Sequence, residues 1–182
     1  MTVFWAIRGG GAGSWGVIVS ATFQTFPTFN ATVSHIIITT NTTDQMAEVA
    51  AVHAKHVPNW NSALAGQYFY LATQGSIQAS IISPALNTGL PTLAVSTYFP
   101  PAAVGQAENI TQSFINDVQA VEGVNITSQS IFSQNINDAL TSPGDVVGYN
   151  LVMGSRLIPK GGYNPTVVGQ VYAELMNLGS GL

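Results

Sequence analysis

The chain has 182 residues, a net charge of −4 and no cysteine, and only 7% of its residues are charged, against about 25% in ordinary soluble domains. With four Lys and Arg residues in total, it cannot form the clustered basic surface that nucleic acids or anionic membranes require. Disulfides and thiolate metal sites are excluded within the chain, and no apolar run approaches the roughly 20 residues of a membrane-spanning helix.

A glycine-rich loop followed by a β-branched run lies near the N-terminus. Five glycines fall within residues 9–16, and Val17, Ile18 and Val19 come directly after them. Glycine permits positive φ and lets a ligand approach the main chain, and successive N–H groups in such a turn can bind an anion. The loop therefore predicts a backbone cradle for a phosphate or a flat cofactor, although a glycine-rich hairpin without a ligand has the same composition.

Two general phosphate-binding motifs do not fit this loop. A P-loop requires a Lys and then a Ser or Thr after its last glycine, and Val17 and Ile18 stand there instead. Residues 11–16 do have the G-x-G-x-x-G spacing of a dinucleotide-binding fold. The alternating run that follows predicts a strand, however, where that fold needs a helix to hold the pyrophosphate.

The string from Phe4 to Pro27 is specific enough to suggest a family. Its sequence, FWAIRGGGAGSWGVIV with a closing TFP, closely resembles one segment of berberine-bridge-enzyme-like flavin oxidases, which belong to the vanillyl-alcohol-oxidase (PCMH-type) group of FAD-linked oxidoreductases. Residues 154–159, GSRLIP, are similar to a segment of fungal members. In that family the glycine segment runs beside the flavin nucleotide. The resemblance therefore implies FAD as the cofactor, held by Gly9, Gly10, Gly11, Gly13, Gly16, Val17 and Ile18.

The same resemblance divides the chain into two parts. Residues 1–27 correspond to the end of the FAD-binding domain, and residues 28–182 correspond to an incomplete substrate-binding domain. The family attaches FAD through a His, often with a second bond to a Cys, and both precede this segment. A C-terminal flavin-contacting segment of the family is also absent. We therefore expect a fragment whose partner is the remainder of the FAD domain.

Hydrophobic periodicity and turn residues predict the elements that follow the loop. They are a strand at 31–40, a helix that starts with a capping box of Thr42 and Gln45 and stops at Pro58, strands at 66–71, 76–82 and 93–99, a helix from Pro100 and Pro101 with an apolar stripe to Val121 and a cap at Gly123, a strand at 125–132, a loop at 141–148, a strand at 149–157, and a helix capped by Asn164 and ended by Gly179. Because several strands separate the helices, the predicted fold class is α+β, an antiparallel sheet with helices packed on one face. The family's substrate domain is built in this way.

Tyr68 and Tyr70 alternate on one predicted strand and therefore share a face. The resemblance implies that this sheet covers the flavin and lines the pocket of a small-molecule substrate, while an ordinary half-buried sheet face has the same pattern. Arg156 is one of only four cations. It is a candidate to bind a substrate carboxylate or, alternatively, to pair with an Asp or Glu.

The three histidines favour structural roles. His53 and His56 share the first predicted helix, but no third ligand accompanies them, so we expect no metal site, with His53 at the core edge and His56 in solvent. His35 lies on a strand face with Val33 and Ile37. A satisfied buried histidine is favoured over a catalytic one there, and no general base with a visible partner is found.

Four N-x-[ST] sequons, at Asn30, Asn41, Asn109 and Asn125, favour a secreted glycoprotein when they are combined with the low charge and the family resemblance. Two functions follow. In the first, the chain is part of an FAD-dependent oxidase that transfers hydride from an alcohol, sugar or secondary metabolite to flavin, with O₂ as the acceptor. In the second, it is a truncated, non-catalytic glycoprotein or partner-binding fragment that binds no flavin.

Overall fold

The computed structural model describes residues 15–73, 88–140 and 156–179. The elements in these ranges are β1 (Asn30–Thr40), α1 (Thr43–Ser62), β2 (Gly66–Ala72), β3 (Thr92–Phe99), α2 (Val104–Gln119), β4 (Val124–Asn135), α3 (Ile136–Leu140) and α4 (Pro165–Gly179). Short 3-10 turns at Pro101–Ala103 and Lys160–Gly162 precede α2 and α4. The predicted strand at 76–82 and loop at 141–148 lie outside the described residues. Of the predicted strand at 149–157, only Arg156 and Leu157 are described, and neither is in a strand.

The four strands form one antiparallel sheet in the order β2-β3-β1-β4. The first six long elements follow one another as β-α-β-β-α-β, which is the ferredoxin-like arrangement. This topology confirms the predicted α+β class with helices on one face of an antiparallel sheet. A register shift opposite Ile37 and Ile38 places an extra residue in β4.

The core lies between this sheet and the helix layer. Its buried side chains include Ile36 and Ile38 of β1, Leu93 and Val95 of β3, Met46 and Val49 of α1, and Phe114 and Val118 of α2. Alternate residues of a strand face opposite sides, so Val33, His35 and Ile37 of β1 share the face that points away from the helices. That they share a face was predicted and is confirmed. In the described part of the chain, the layer of helices covers the other face.

Helix α1 begins as the sequence predicts. The Gln45 N–H donates to the Thr42 hydroxyl over 3.3 Å, and the Gln45 side chain accepts from the Thr42 N–H over 3.2 Å. These reciprocal bonds satisfy two of the N–H groups that a helix start leaves unpaired. Asp44 in the first turn adds a favourable charge at the positive end of the helix dipole.

The predicted stop of α1 at Pro58 is wrong, because the helix continues to Ser62. Proline has no N–H, so the carbonyl of Ala54, four residues earlier, loses its usual helical donor. The hydroxyl of Tyr163 donates to that carbonyl over 2.8 Å. Ser62 also donates its hydroxyl to the Pro58 carbonyl over 2.8 Å. A residue about 100 positions later in the chain thus supplies the hydrogen-bond donor that Pro58 lacks.

The predicted boundaries of the other two long helices are partly confirmed. Helix α4 starts where Asn164 accepts from the N–H groups of Thr166 and Val167, and it ends at Gly179 as predicted. Helix α2 ends at Gln119, so Gly123 does not cap it. Gly123 instead lies in the turn before β4 at φ +74°, where a Cβ would collide with the Gln45 side chain.

Candidate functional site

The sheet face opposite the helix layer, called here the open face, brings together tyrosine, serine and histidine side chains. Residues paired across strands lie on the same face. The register gives three neighbouring rows: Gly66, Tyr98, Val33 and Phe132; Tyr68, Ser96, His35 and Ser130; and Tyr70, Ala94, Ile37 and Ser128. Three tyrosines and one histidine from three strands therefore share one surface, and Tyr68 and Tyr70 lie together as the sequence predicts.

His35 lies near the middle of the open face. Its Nδ1 is 2.9 Å from the Ser96 hydroxyl, and its ring packs 5.6 Å from the Phe132 ring and edge-on at 6.4 Å from Tyr98. Burial lowers the pKa of His35 below its usual value of 6.5, so the ring is neutral at neutral pH. Its Nε2 is open to solvent and has no hydrogen-bond partner in the described part of the chain.

The sequence predicted that His35 is a buried histidine whose ring nitrogens have hydrogen-bond partners, and the structure bears this out for one of the two nitrogens. One ring nitrogen is satisfied by Ser96, while the other faces outward. The sequence could not reveal this pairing, because Ser96 is 61 residues away and lies on a different strand. A histidine whose orientation is fixed through one nitrogen and whose other nitrogen is exposed is arranged as proton-transfer groups are.

The tyrosines surround His35 at different depths. Tyr68 is 64% exposed and Tyr70 is 37% exposed, whereas Tyr98 is half-buried. Burial raises the pKa of Tyr98, and Tyr68 and Tyr70 raise it further. The Tyr98 phenol is therefore protonated at neutral pH and can act as a hydrogen-bond donor. The surface offers flat aromatic area with phenol groups and carries no formal charge at neutral pH.

A cavity of about 270 Å³ adjoins the open face at its Gly66 end. Tyr68 and Tyr98 form part of its wall, and the apolar side chains of Phe29, Leu64 and Ile136 form much of the rest. Phe29 is also held from behind, because its carbonyl accepts from the Ile136 N–H over 2.9 Å. An apolar pocket with a few polar groups at its edge is the usual form of a small-molecule site.

Of the glycine loop, the described part begins only after Ser14, so Gly9 to Gly13 lie outside it. Gly16 has φ +153°, a backbone conformation that favours glycine. No atom lies within contact distance of the position that a Cβ would take there. Val17 is 93% exposed and Ile18 is about half exposed. The strand predicted directly after the loop is wrong, because residues 15–29 form neither helix nor strand and their backbone groups are not used in a sheet.

His53 and His56 belong to the helix layer and not to the open face. His53 is buried against Trp60, Phe69 and Phe114, and its Nε2 donates to the Gln67 amide oxygen over 2.7 Å. Burial is the main cause that lowers the pKa of His53 to about 4. The prediction that His53 packs against the core is confirmed, but its place at the core edge is wrong, because the side chain is fully buried.

The predicted solvent exposure of His56 is wrong. It is buried, and its Nε2 lies 2.8 Å from a carboxylate oxygen of Asp117 on α2. The partner is 61 residues away, which is why helical spacing gave no sign of it. Within the described residues, no group of three or more His, Cys, Asp or Glu side chains could hold a metal ion.

Arg156 is exposed and forms no ion pair within the described ranges, so the alternative in which it pairs with an Asp or Glu is not found there. Its segment contacts the helix layer, since Ile158 and Lys160 lie against the C-terminal half of α1. The structure therefore does not bring Arg156 against Tyr68 and Tyr70.

The four sequon asparagines, Asn30, Asn41, Asn109 and Asn125, are all exposed. Exposure is what glycan attachment requires, and the glycosylation itself stays a prediction. None of the helices in the described ranges is both long and apolar enough to cross a membrane.

Comparison with known proteins gives one sequence relative and one solved structure. A protein of Arthroderma benhamiae (strain ATCC MYA-4681 / CBS 112371), named "Uncharacterized FAD-linked oxidoreductase", is 26% identical over 169 residues. The match covers 87% of this chain, which spans 27% of the relative's length. A de novo designed protein with ferredoxin fold matches 70% of this chain and 99% of its own, at 10% identity and a TM-score of 0.32. No protein-family model matches the chain.

Proposed function

We propose that this chain forms the substrate-facing wall of an FAD-linked oxidoreductase of the berberine-bridge-enzyme-like kind, with residues 1–27 ending the FAD-binding domain and residues 28–182 forming part of the substrate domain. The observation that carries the proposal is the open face, where Tyr68, Tyr70 and Tyr98 surround a half-buried His35. The similarity to a protein named as an FAD-linked oxidoreductase supports the same class.

We propose that the described residues take part in binding FAD. Gly16, Val17 and Ile18 present free backbone without a Cβ in the way at Gly16, and we propose that they continue a cradle begun by Gly9, Gly10, Gly11 and Gly13. The exposed rings of Tyr68 and Tyr70 supply a flat, uncharged surface for a flat ring system. When bound, FAD supplies a hydride acceptor that O₂ can reoxidise.

The chain's own residues then bind the substrate and accept its hydroxyl proton. A small alcohol, sugar or secondary metabolite binds beside the flavin on the open face, with its apolar part toward the cavity at Phe29 and Leu64. The protonated Tyr98 phenol donates a hydrogen bond to the substrate oxygen. His35 accepts the hydroxyl proton at Nε2 in the tautomer whose Nδ1–H donates to the Ser96 hydroxyl.

Secretion and glycosylation are part of the proposal. The exposure of all four sequon asparagines supports it, and so does the low content of charged residues. The expected partners are a small-molecule substrate and the remainder of the FAD domain, without nucleic acid or membrane.

A second candidate is a non-catalytic glycoprotein fragment that binds no flavin and associates through exposed apolar surface. It is favoured by the segment before β1, in which Val17, Val19, Phe23 and Phe26 are all largely exposed. Apolar side chains of this size seldom remain uncovered. Flavin binding by the chain separates the two candidates.

The test is a titration of FAD with the purified chain, followed by flavin fluorescence anisotropy. We expect the anisotropy to rise and saturate with the wild-type chain. In the double variant Tyr68→Ser/Tyr70→Ser the affinity for FAD should be at least about fivefold lower, because stacked aromatic contacts are worth about 1 kcal/mol each. Tyr172→Phe is the matched control, since Tyr172 is a half-buried tyrosine on α4 in the helix layer. An anisotropy that stays flat with the wild-type chain, or a signal that the double variant leaves unchanged, would contradict the proposal.

A further inference from the structure

A second cavity lies on the helix layer, on the side of the sheet opposite the open face. It has a volume of about 300 Å³ and lies between the C-terminal half of α1 and the segment that leads into α4. Its apolar wall consists of Val57, Pro58, Ile158, Pro165 and the ring of Tyr163. This groove does not share a lining residue with the cavity at the open face.

Most polar groups in the groove are already used. The Tyr163 hydroxyl donates to the Ala54 carbonyl, and the Ser62 hydroxyl donates to the Pro58 carbonyl. The side-chain amide of Asn61 and the ammonium of Lys160 remain without a partner in the described part of the chain. A ligand in the groove would therefore contact an apolar surface that carries one amide group and one positive charge.

The groove carries positive charge, although the protein as a whole is negatively charged. The net charge is −4, yet Lys160 lines the groove, Arg156 is two residues before the lining residue Ile158, and Lys55 is on the helix that forms one wall. Lys55 is three residues before Pro58 and seven before Ser62, so it shares their face of α1. None of the three forms an ion pair within the described ranges, and no acidic residue lines the groove.

We propose that this groove is a binding site for a small organic acid, with an apolar body such as a single aromatic ring and one carboxylate. The ring packs between the prolines and Tyr163, and the carboxylate pairs with Lys160 and accepts from Asn61. The volume suits a ligand at the small end of the usual range of about 300–1,000 Å³. The inference rests on the groove alone and does not depend on the proposed function.

The probe is benzoate, titrated into the full chain and followed by ¹H–¹⁵N NMR. We expect saturable shifts of backbone amides in residues 57–62 and 160–164, with dissociation constants of about a millimolar, as a single exposed charge pair allows. Benzamide, which has the same ring without the charge, should bind about threefold to fivefold more weakly. Added salt should weaken benzoate and leave benzamide unchanged.

Two variants of one exposed lysine separate charge recognition from folding. Lys160→Gln should weaken benzoate about threefold to fivefold and leave benzamide unchanged, whereas Lys160→Arg should restore benzoate binding. Tyr68→Phe on the open face is the control and should change neither. Equal binding of benzoate and benzamide, shifts confined to the open face, or no saturable shifts would each overturn the proposal.

Discussion

The hydrogen bond from Tyr163 to Ala54 explains how α1 passes through a proline, and removing it gives a quantitative test. In Tyr163→Phe the Ala54 carbonyl loses the donor that replaces the missing N–H of Pro58. Ala54 is fully buried, so its carbonyl is left without a partner at a cost of about 1–2 kcal/mol in the free energy of unfolding.

The same structure predicts how a second substitution changes that cost. In Pro58→Ala the new N–H can donate to the Ala54 carbonyl, so the helix no longer needs Tyr163. Tyr163→Phe in this background should cost less than about 0.5 kcal/mol, which gives a coupling of about 1 kcal/mol between the two sites. Tyr172→Phe is the control and should change stability by less than about 0.5 kcal/mol, because the Tyr172 hydroxyl makes no hydrogen bond within the described residues.

The assay is urea unfolding of the four variants of the cycle, followed by circular dichroism and compared at equal slope. Equal losses from Tyr163→Phe with proline and with alanine at position 58 would refute the reasoning, since they would mean that the hydroxyl does not replace the proline's missing donor. A loss of total helix signal in Tyr163→Phe that does not occur when position 58 is alanine would support it.

Three further predictions concern the stability of the fold. Because the pKa of His53 falls from 6.5 unfolded to about 4 folded, the unfolded chain takes up the proton first, so this residue should lower stability by about 3 kcal/mol as the pH drops from about 6.5 to about 4; urea midpoints across this range should show a clearly smaller slope in His53→Phe than in the wild type, with the part due to His35 remaining. Phe114→Ala should cost about 3–5 kcal/mol, because this fully buried ring contacts both Trp60 and His53, and a urea midpoint near that of the wild type would contradict the packing. Gly123→Ala should cost at least about 1 kcal/mol, since the residue has φ +74° and its new Cβ would meet Gln45, whereas a thermal midpoint equal to that of the wild type would show that the turn can adjust.

The sequence predicts the local features of this fold well. The capping box at Thr42, the strand at 31–40 and the cap at Asn164 all depend on residues close together in the chain, and each is confirmed. The alternation of Tyr68 and Tyr70 likewise fixes their shared face, because a strand has a strict period of two.

Contacts between distant residues account for what the sequence did not predict. The continuation of α1 past Pro58 depends on Tyr163, and the burial of His56 depends on Asp117. The exposed Nε2 of His35 depends on Ser96 taking the other nitrogen. None of these pairs is marked by spacing or composition, since each joins two elements that only the folded sheet and helix layer bring together.

The most direct test of the proposed function is where FAD binds on this chain. Ring-proton NMR signals of the tyrosines and histidines, recorded during a titration with FAD, report which aromatic side chains lie beside the flavin. The proposal predicts shifts at Tyr68, Tyr70 and His35 on the open face, with Tyr163 and Tyr172 in the helix layer unchanged. Shifts confined to the helix layer, or no saturable shift at any ring, would contradict it.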